Sequence, residues 1–216
     1  MPLTKQTGNM YSFVTHTWNP IKGKCLHDCS YCYMKRFSLK DVRLDEKELN
    51  TDLGSGNFIF VGSGTDMFAN NVSEEWIEKV LEYCKKFDNK YLFQSKNPIK
   101  FLLYKFPENS VFGTTIESNR DYPEIMNNSP QILGRKVRMR QLRKTKMVTI
   151  EPILDFDLEE FVKMIKSIQP SWVNIGADSK GHKLPEPGKE KIQALIDELS
   201  TFTMVKIKTN LNRLMK

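Results

Sequence analysis

The stretch Cys25-Leu-His-Asp-Cys29-Ser-Tyr-Cys32 places three of the chain's four cysteines within eight residues, in the pattern CxxxCxxC. Three thiolates on one short loop can bind three irons of a cubane 4Fe–4S cluster, and the fourth iron then stays open to a small molecule. A structural zinc site is the alternative, with His16 or His27 as its fourth ligand, but zinc ligands are usually paired as CxxC. The spacing therefore favours an iron–sulfur cluster bound by Cys25, Cys29 and Cys32.

Length and composition set the class of protein. The 216 residues, of which 39 % are hydrophobic, suffice for one domain with a sizeable core, so we predict a single domain over residues 1–216. The sequence has no apolar run that could span a bilayer, and residues 1–5 lack the apolar core of a secretory signal. These features predict a cytoplasmic protein without a membrane partner, and clustered cysteines in such a protein more often bind metal than form disulfides.

Short apolar runs alternate with amphipathic segments along the chain. The runs predict six strands, over residues 11–18, 58–61, 90–95, 110–116, 147–152 and 172–175, and a seventh at the edge over residues 204–207. Helices are predicted between them, among them residues 73–84, 158–168 and 190–199. This alternation predicts βαβ units and a parallel sheet. Six or seven units are too few for a closed eightfold barrel, so we predict an α/β fold with a partial (β/α)6 TIM-like barrel.

Polar residues follow several of the predicted strands. Ligands of parallel α/β sheets bind at the carboxyl ends of the strands, and the cysteine loop follows the first strand at that edge. Two glutamates in equivalent positions favour a binding site over simple helix caps. The candidate residues at this edge are Gly62, Ser63, Gly64, Asp66, Glu117, Glu151 and Asn174.

Two further features have both a functional and a structural interpretation. Residues 135–146 contain seven basic residues and no acidic one, and the net charge of the chain is +7. This basic segment could bind nucleic acid through counterion release, or it could be a solvated outer helix of the barrel. Cys84, the fourth cysteine, shares a helical face with Ile77, Val80 and Leu81, which predicts a buried position away from the cluster.

The cysteine spacing, with Tyr31 before the third cysteine, resembles the signature of the radical S-adenosylmethionine (SAM) enzymes. Further segments resemble, in order, the phage-associated three-cysteine-motif family of radical SAM-like proteins. These segments are Thr17-Trp-Asn-Pro20, Phe60-Val-Gly-Ser-Gly-Thr-Asp-Met-Phe68, Ile150-Glu-Pro-Ile153 and the strand from Trp172 to Gly176. The resemblance covers most of the chain, is specific for cofactor chemistry and says little about the substrate. A more distant likeness to the spore photoproduct lyases makes a DNA lesion or base a candidate.

The resemblance implies a cofactor chemistry. The open iron would chelate the amino and carboxylate groups of SAM, and an electron from the reduced cluster would cleave SAM to methionine and a 5′-deoxyadenosyl radical. That radical would take a hydrogen atom from the substrate. The reducing electron would come from a donor such as flavodoxin or ferredoxin.

The resemblance also implies roles for individual residues. Tyr31 would contact the adenine of SAM. The Gly-Gly-Glu turn of the superfamily corresponds to Gly62-Ser-Gly-Thr-Asp66, where the glutamate is absent, so backbone carbonyls, Ser63 or Asp66 would hold the SAM amino group. Acceptors for the ribose hydroxyls and the ammonium would be Glu117, Glu151 and Asn174.

Three functions remain open from the sequence. The leading hypothesis is a radical SAM enzyme that acts on a nucleic-acid base or nucleotide. A radical SAM enzyme that acts on a peptide or a small metabolite is the second. The third is a non-enzymatic module in which the cysteines bind zinc and the basic segment binds nucleic acid.

Overall fold

A single eight-stranded sheet forms the frame of the protein, whose computed structural model describes residues 3–216. The strands are β1 (Thr4–Lys5), β2 (His16–Trp18), β3 (Ile21–Lys22), β4 (Arg43–Leu44), β5 (Phe58–Val61), β6 (Lys90–Gln94), β7 (Ser110–Thr115), β8 (Lys146–Ile150), β9 (Trp172–Ile175) and β10 (Met204–Ile207). The α-helices are α1 (Glu74–Cys84), α2 (Pro123–Met126), α3 (Ile132–Gln141), α4 (Leu158–Ile168) and α5 (Lys189–Ser200). Four 3-10 helices complete the list, at Tyr33–Arg36, Glu46–Asn50, Pro98–Leu102 and Thr209–Leu214.

The order of the strands confirms the predicted fold class. The sheet runs β1-β2-β5-β6-β7-β8-β9-β10; every pair from β2 to β10 is parallel, and β1 pairs with β2 in the antiparallel sense. Within residues 3–216, β1 and β10 do not pair with each other, so the barrel stays partial. In this stretch of chain no helix is long and apolar enough to cross a membrane.

Apolar faces of the helices form the main core against the outer side of the sheet. Ile77, Val80, Leu81 and Cys84 of α1 are all buried, as the spacing of the sequence predicts. On α4, the buried residues are Phe161, Ile165 and Ile168. The position of Cys84 in this core also confirms that it lies among apolar side chains rather than in the cysteine loop.

The first predicted strand is partly wrong. Only His16–Trp18 of residues 11–18 pairs in the sheet, as β2. Tyr11 and Val14 pack instead on the inner side of the sheet, in a second apolar cluster with Phe60, Leu92, Val111 and Met147. The β-branched and aromatic residues of this segment fill the interior of the partial barrel. Composition alone does not distinguish such a segment from a strand, because strands favour the same residues.

The cysteine loop is held between two strands by backbone contacts. β3 and β4 form a small antiparallel pair outside the main sheet, and the Lys24 amide donates to the carbonyl of Lys40 at 2.8 Å. Gly23 has a φ of +116°, and a Cβ there would collide with the backbone of Asp41. The glycine therefore lets the two ends of the loop approach each other beside the sheet.

Candidate functional site

A cavity of about 500 Å³ opens at the carboxyl edge of the parallel strands. The loop after β5, the residues after β6 and the end of β7 form its inner wall, and the cysteine loop forms its outer wall. All three loop cysteines line it, together with other predicted site residues. The lining residues include Cys25, Cys29, Cys32, Gly62, Ser63, Gly64, Asp66, Lys96, His27, Tyr33 and Phe37.

The three thiols form a donor set that suits an iron–sulfur cluster. Cys29 is buried, whereas Cys25 and Cys32 are half-buried against the cavity. The ammonium of Lys96 donates to Cys29 Sγ at 2.9 Å, and Ser129 Oγ lies 3.1 Å from the same sulfur. Soft thiolate donors suit iron–sulfur clusters, and hydrogen bonds to the sulfurs adjust their reduction potentials. The residues present therefore fit a cluster bound at this loop.

Both candidate fourth ligands contact side chains other than the thiols. His27 is buried, and its Nε2 lies 2.8 Å from Asp66 Oδ2. His16 sits on β2 and contacts Thr15, and it does not line the cavity. Among residues 3–216, no three His, Cys, Asp or Glu side chains converge in a way that would enclose a single metal ion.

Burial and the nearby Asp66 carboxylate raise the pKa of the Cys25 thiol to about 12. At neutral pH this thiol keeps its proton in the metal-free protein. Binding of a metal must therefore displace a proton from Cys25, since thiolates rather than thiols are the ligands.

A buried ionic network lies directly under the cysteine loop. Glu117 and Arg135 are both fully buried, and Arg135 Nη1 donates to Glu117 Oε2 at 2.8 Å. The other carboxylate oxygen, Oε1, lies 3.1 Å from Lys96 Nζ and accepts a short hydrogen bond from the hydroxyl of Tyr31. Lys96 in turn contacts the Tyr31 hydroxyl and Cys29. The network thus connects α3 to the cysteine loop through the carboxylate of Glu117.

Burial alone would raise the pKa of Glu117, but the neighbouring charges reverse this effect. The Arg135 and Lys96 cations and the Tyr31 hydroxyl lower the pKa of Glu117 to about 2. The carboxylate is therefore ionised at neutral pH inside the protein. Both of its oxygens are already bound by side chains of the chain itself.

Asp66 fixes the loops after β5 and β6 to the cysteine loop. Its Oδ2 accepts from Ser95 Oγ at 2.8 Å and from the Lys96 amide at 2.9 Å, besides the contact with His27. The amide of Phe68 donates to Oδ1 at 2.9 Å. Although burial opposes it, the hydrogen bonds lower the pKa of Asp66. An ionised Asp66 therefore holds three segments of the cavity wall in register.

The Gly62-Ser-Gly turn follows β5 and lines the cavity. Gly62 has a φ of +78°, which strongly favours glycine at this position. Asn19, from the Thr-Trp-Asn-Pro segment, accepts from the Gly64 amide at 2.9 Å and from Ser63 Oγ at 3.1 Å. Asn19 therefore sets the shape of the turn from a different segment of the chain.

Four of the eight predicted SAM-site residues do not line the cavity. Tyr31 and Glu117 belong to the ionic network beneath it, whereas Glu151 and Asn174 lie elsewhere. Glu151, at the end of β8, accepts from Asn9 at 2.9 Å, from Lys208 at 2.7 Å and from Asn210 at 2.9 Å. Asn174 is buried inside β9, and its amide lies 3.5 Å from the sulfur of Met147. The structure groups the residues after β5, β6 and β7 with the cysteines, and it leaves these two on the β8–β9 side of the mouth.

The basic segment 135–146 does not form one continuous surface. α3 ends at Gln141 and β8 begins at Lys146, so the segment spans a helix, a turn and the start of a strand. Arg135 and Lys146 are buried, and Arg135 belongs to the ionic network under the cysteine loop. The exposed residues near the end of α3 lie at the amino edge of the parallel sheet, opposite the cavity.

Several residues of the site are not evident from the sequence. Ser129 and Arg135 come from segments far from the cysteines along the chain, whereas Asn19 precedes Cys25 by six residues. All three reach their partners in the site only in the fold. The Thr-Trp-Asn-Pro segment was a signal for Asn19, since it forms part of the resemblance. For Arg135 the sequence favoured an exposed position instead, because the residue stands in a run of basic residues.

Comparison with known proteins gives structural likeness and no sequence match. No model of a known protein family matches the chain, and no curated protein matches it. A cysteine-to-serine variant of spore photoproduct lyase superposes with a TM-score of 0.65 at 13 % identity, covering 94 % of this chain and 79 % of that one. A spore photoproduct lyase variant with bound AdoMet and dinucleoside spore photoproduct gives a TM-score of 0.57 at 13 % identity, covering 91 % and 64 %. The chain therefore has the partial α/β barrel fold found in radical SAM enzymes.

Proposed function

We propose that the protein is a radical SAM enzyme. One observation carries the proposal: the three cysteines of CxxxCxxC line a single cavity with the Gly-Ser-Gly turn, at the carboxyl edge of the parallel strands. The likeness to the fold of spore photoproduct lyase, one of whose structures contains AdoMet, supports it. Membership of the phage-associated three-cysteine-motif family remains a prediction from the quoted motifs.

In this proposal Cys25, Cys29 and Cys32 bind a 4Fe–4S cluster. The bound cluster supplies the electron that cleaves SAM to methionine and a 5′-deoxyadenosyl radical, with flavodoxin or ferredoxin as the proposed source of reducing electrons. Lys96 donates a hydrogen bond to the sulfur of Cys29 at 2.9 Å and thereby helps to position it. Ser129 Oγ lies 3.1 Å from the same sulfur and also contributes to its position.

The proposed SAM site includes all eight predicted positions, four of which line the cavity. Gly62, Ser63 and Gly64 present backbone and hydroxyl groups directly to the cavity and are assigned to the amino group of SAM. Tyr31, Asp66 and Glu117 act from the wall or beneath it, since their polar atoms are engaged by neighbouring side chains. Glu151 and Asn174 remain assigned as acceptors for the ribose hydroxyls and the ammonium of SAM.

A nucleic-acid base or nucleotide is the proposed substrate class. The dinucleoside spore photoproduct bound in the similar lyase structure belongs to that class. The net charge of +7 favours an anionic partner. A peptide or a small metabolite is the alternative that substrate assays must separate from it.

Anaerobic reconstitution tests the proposal. The protein is loaded with iron and sulfide, reduced with dithionite and incubated with SAM, and 5′-deoxyadenosine is quantified. We expect about four irons and four sulfides per chain and formation of 5′-deoxyadenosine. A preparation that retains zinc and forms no cluster would support the non-enzymatic module instead.

Replacing Asn19 by alanine tests the assignment of the turn. Asn19→Ala removes two hydrogen bonds to the Gly-Ser-Gly turn, each with a net contribution of about 1 kcal/mol. We expect the Kd for SAM of the reconstituted protein to rise about tenfold. Asn212→Ala, at an exposed position near the end of the chain, is the matched control. Equal SAM affinity in the two variants would remove the turn from the SAM site.

A further inference from the structure

Two exposed aromatic rings stand at the rim of the cavity. Tyr33 and Phe37 are 42 % and 49 % exposed, and both line the cavity. The other seven exposed large hydrophobic side chains of residues 3–216 are all non-aromatic. Exposed aromatic area in a soluble chain is therefore concentrated where a ligand would enter.

Local contacts hold both rings in place. The hydroxyl of Tyr33 donates to the carbonyl of Ser63 at 2.9 Å, which ties the ring to the Gly-Ser-Gly turn. The guanidinium of Arg36 lies 4.6 Å from the centroid of the Phe37 ring. The two rings begin and follow the 3-10 helix Tyr33–Arg36, so their spacing is set by a short rigid element.

The same rim carries excess positive charge. Residues 24–40 contain four basic residues and one acidic residue, a net charge of +3. The single acid, Asp28, is paired with Lys35 at 3.1 Å. Lys24, Arg36 and Lys40 are exposed and form no ion pair within residues 3–216. Their charge is therefore available to an anionic ligand.

The basic segment 135–146 cannot supply this charge to the cavity. Its exposed residues Arg140, Arg143 and Lys144 lie at the amino edge of the sheet. α3 has ten residues and spans about 15 Å between the two edges. Charge near the cavity mouth comes from the cysteine-loop rim instead.

We propose that this rim, defined by Tyr33, Arg36, Phe37 and Lys40, binds single-stranded nucleic acid and delivers one base to the cavity. Aromatic faces stack on unpaired bases, and basic residues beside them bind the phosphates. Bases in a duplex are stacked on each other, so a base reaches an enclosed site only from a single strand or after extrusion. An acidic peptide could satisfy the charges but offers no regular series of flat faces for the rings. The proposal deepens the proposed function by naming the substrate class, but binding itself requires no cluster.

Binding of a fluorescently labelled dodecathymidylate to the metal-free protein tests the rim. Fluorescence anisotropy is recorded between 50 and 200 mM salt, with a matched duplex and a polyglutamate peptide as competitors. We expect tighter binding of the single strand than of the duplex. Phe37→Ala should weaken it about tenfold, since stacking on one aromatic residue contributes about 1–3 kcal/mol per base.

Two charge-matched double variants separate the rim from the basic segment. Arg36→Ala/Lys40→Ala should lower the slope of log K against log salt by about 1.4, from loss of two phosphate contacts. Arg140→Ala/Arg143→Ala removes the same charge from the opposite edge and should change affinity less than about twofold if binding is confined to the rim. Circular dichroism confirms that each variant is folded.

Several outcomes would overturn the inference. These are an equal loss of binding in the two double variants, wild-type affinity in Phe37→Ala, or displacement of the strand by polyglutamate as readily as by unlabelled strand. The result is independent of the cofactor. Single-strand binding without cluster assembly would leave the inference standing and reject the proposed enzyme, whereas SAM cleavage without rim binding would do the reverse.

Discussion

Cys29→Ala leaves the reconstituted protein without a stable cluster and without measurable 5′-deoxyadenosine formation, and this is the largest effect that we expect on activity. The variant retains two thiols, and a cubane held by two thiolates is weakly bound. Cys29 is the proposed ligand whose sulfur both Lys96 and Ser129 contact. Iron content should fall from about four atoms to less than about one per chain.

Cys84→Ala is the matched control for this experiment. Cys84 is fully buried among apolar side chains of α1, and burial raises the pKa of its thiol well above the ordinary value. The substitution removes one sulfur from the core and should leave iron, sulfide and SAM cleavage unchanged, with a small loss of thermal stability. Full iron loading in Cys29→Ala, or loss of iron in Cys84→Ala, would contradict the assignment of ligands.

The sequence predicted the alternation of strands and helices because the spacing of apolar residues differs between the two kinds of element. The predicted ranges 58–61, 172–175 and 204–207 are the observed bounds of β5, β9 and β10, and 158–168 is that of α4. These strands are short apolar runs between turn residues, and α4 has a continuous apolar stripe. The bounds follow from patterns local to each segment.

The errors fall where tertiary packing overrides the local pattern. Residues 11–18 have the composition of a strand, but Tyr11 and Val14 fill the interior of the barrel. β1 and β3 have two residues each, too few to carry any period. Their pairing is decided by partners elsewhere in the chain.

The candidate site also has a part that local sequence patterns predict and a part that depends on tertiary packing. The three cysteines form one short motif and the Gly-Ser-Gly turn forms another, and each follows a predicted strand. Both motifs therefore predicted a common site, and all of these residues line one cavity. The electrostatics under the loop could not be read in advance. In the sequence, Arg135 is one of seven basic residues within residues 135–146, yet its guanidinium is fully buried against Glu117. Only the packing of α3 against the sheet distinguishes it from its exposed neighbours.

Glu117→Gln should destabilise the metal-free protein by about 3–5 kcal/mol, the usual cost of breaking one partner of a buried ion pair. The substitution leaves the buried Arg135 cation and the largely buried Lys96 cation without the carboxylate as counter-charge. Urea denaturation under reducing conditions measures the free energy of unfolding. Glu159→Gln removes the same charge from the exposed pair with Lys163 and should cost less than about 0.5 kcal/mol.

A double-mutant cycle separates the pair from the two side chains. Arg135→Met preserves much of the volume of Arg135 and removes the charge. If the pair is coupled, the double variant Glu117→Gln/Arg135→Met loses less stability than the sum of the single variants, by about 1–3 kcal/mol. Additive costs would show that Glu117 and Arg135 contribute independently, and the network would then not act as one unit.

The dependence of stability on pH identifies the charge state of Glu117. Its pKa is lowered to about 2 in the folded protein, from an ordinary value of 4.5, so between these values the unfolded chain binds more protons. The stability that its carboxylate contributes is therefore complete above about pH 5 and is lost as the pH falls through this range. The difference in unfolding free energy between wild type and Glu117→Gln should shrink by up to about 1.4 kcal/mol per pH unit there. A difference that stays constant down to pH 2.5 would mean that Arg135 and Lys96 do not hold the carboxylate ionised.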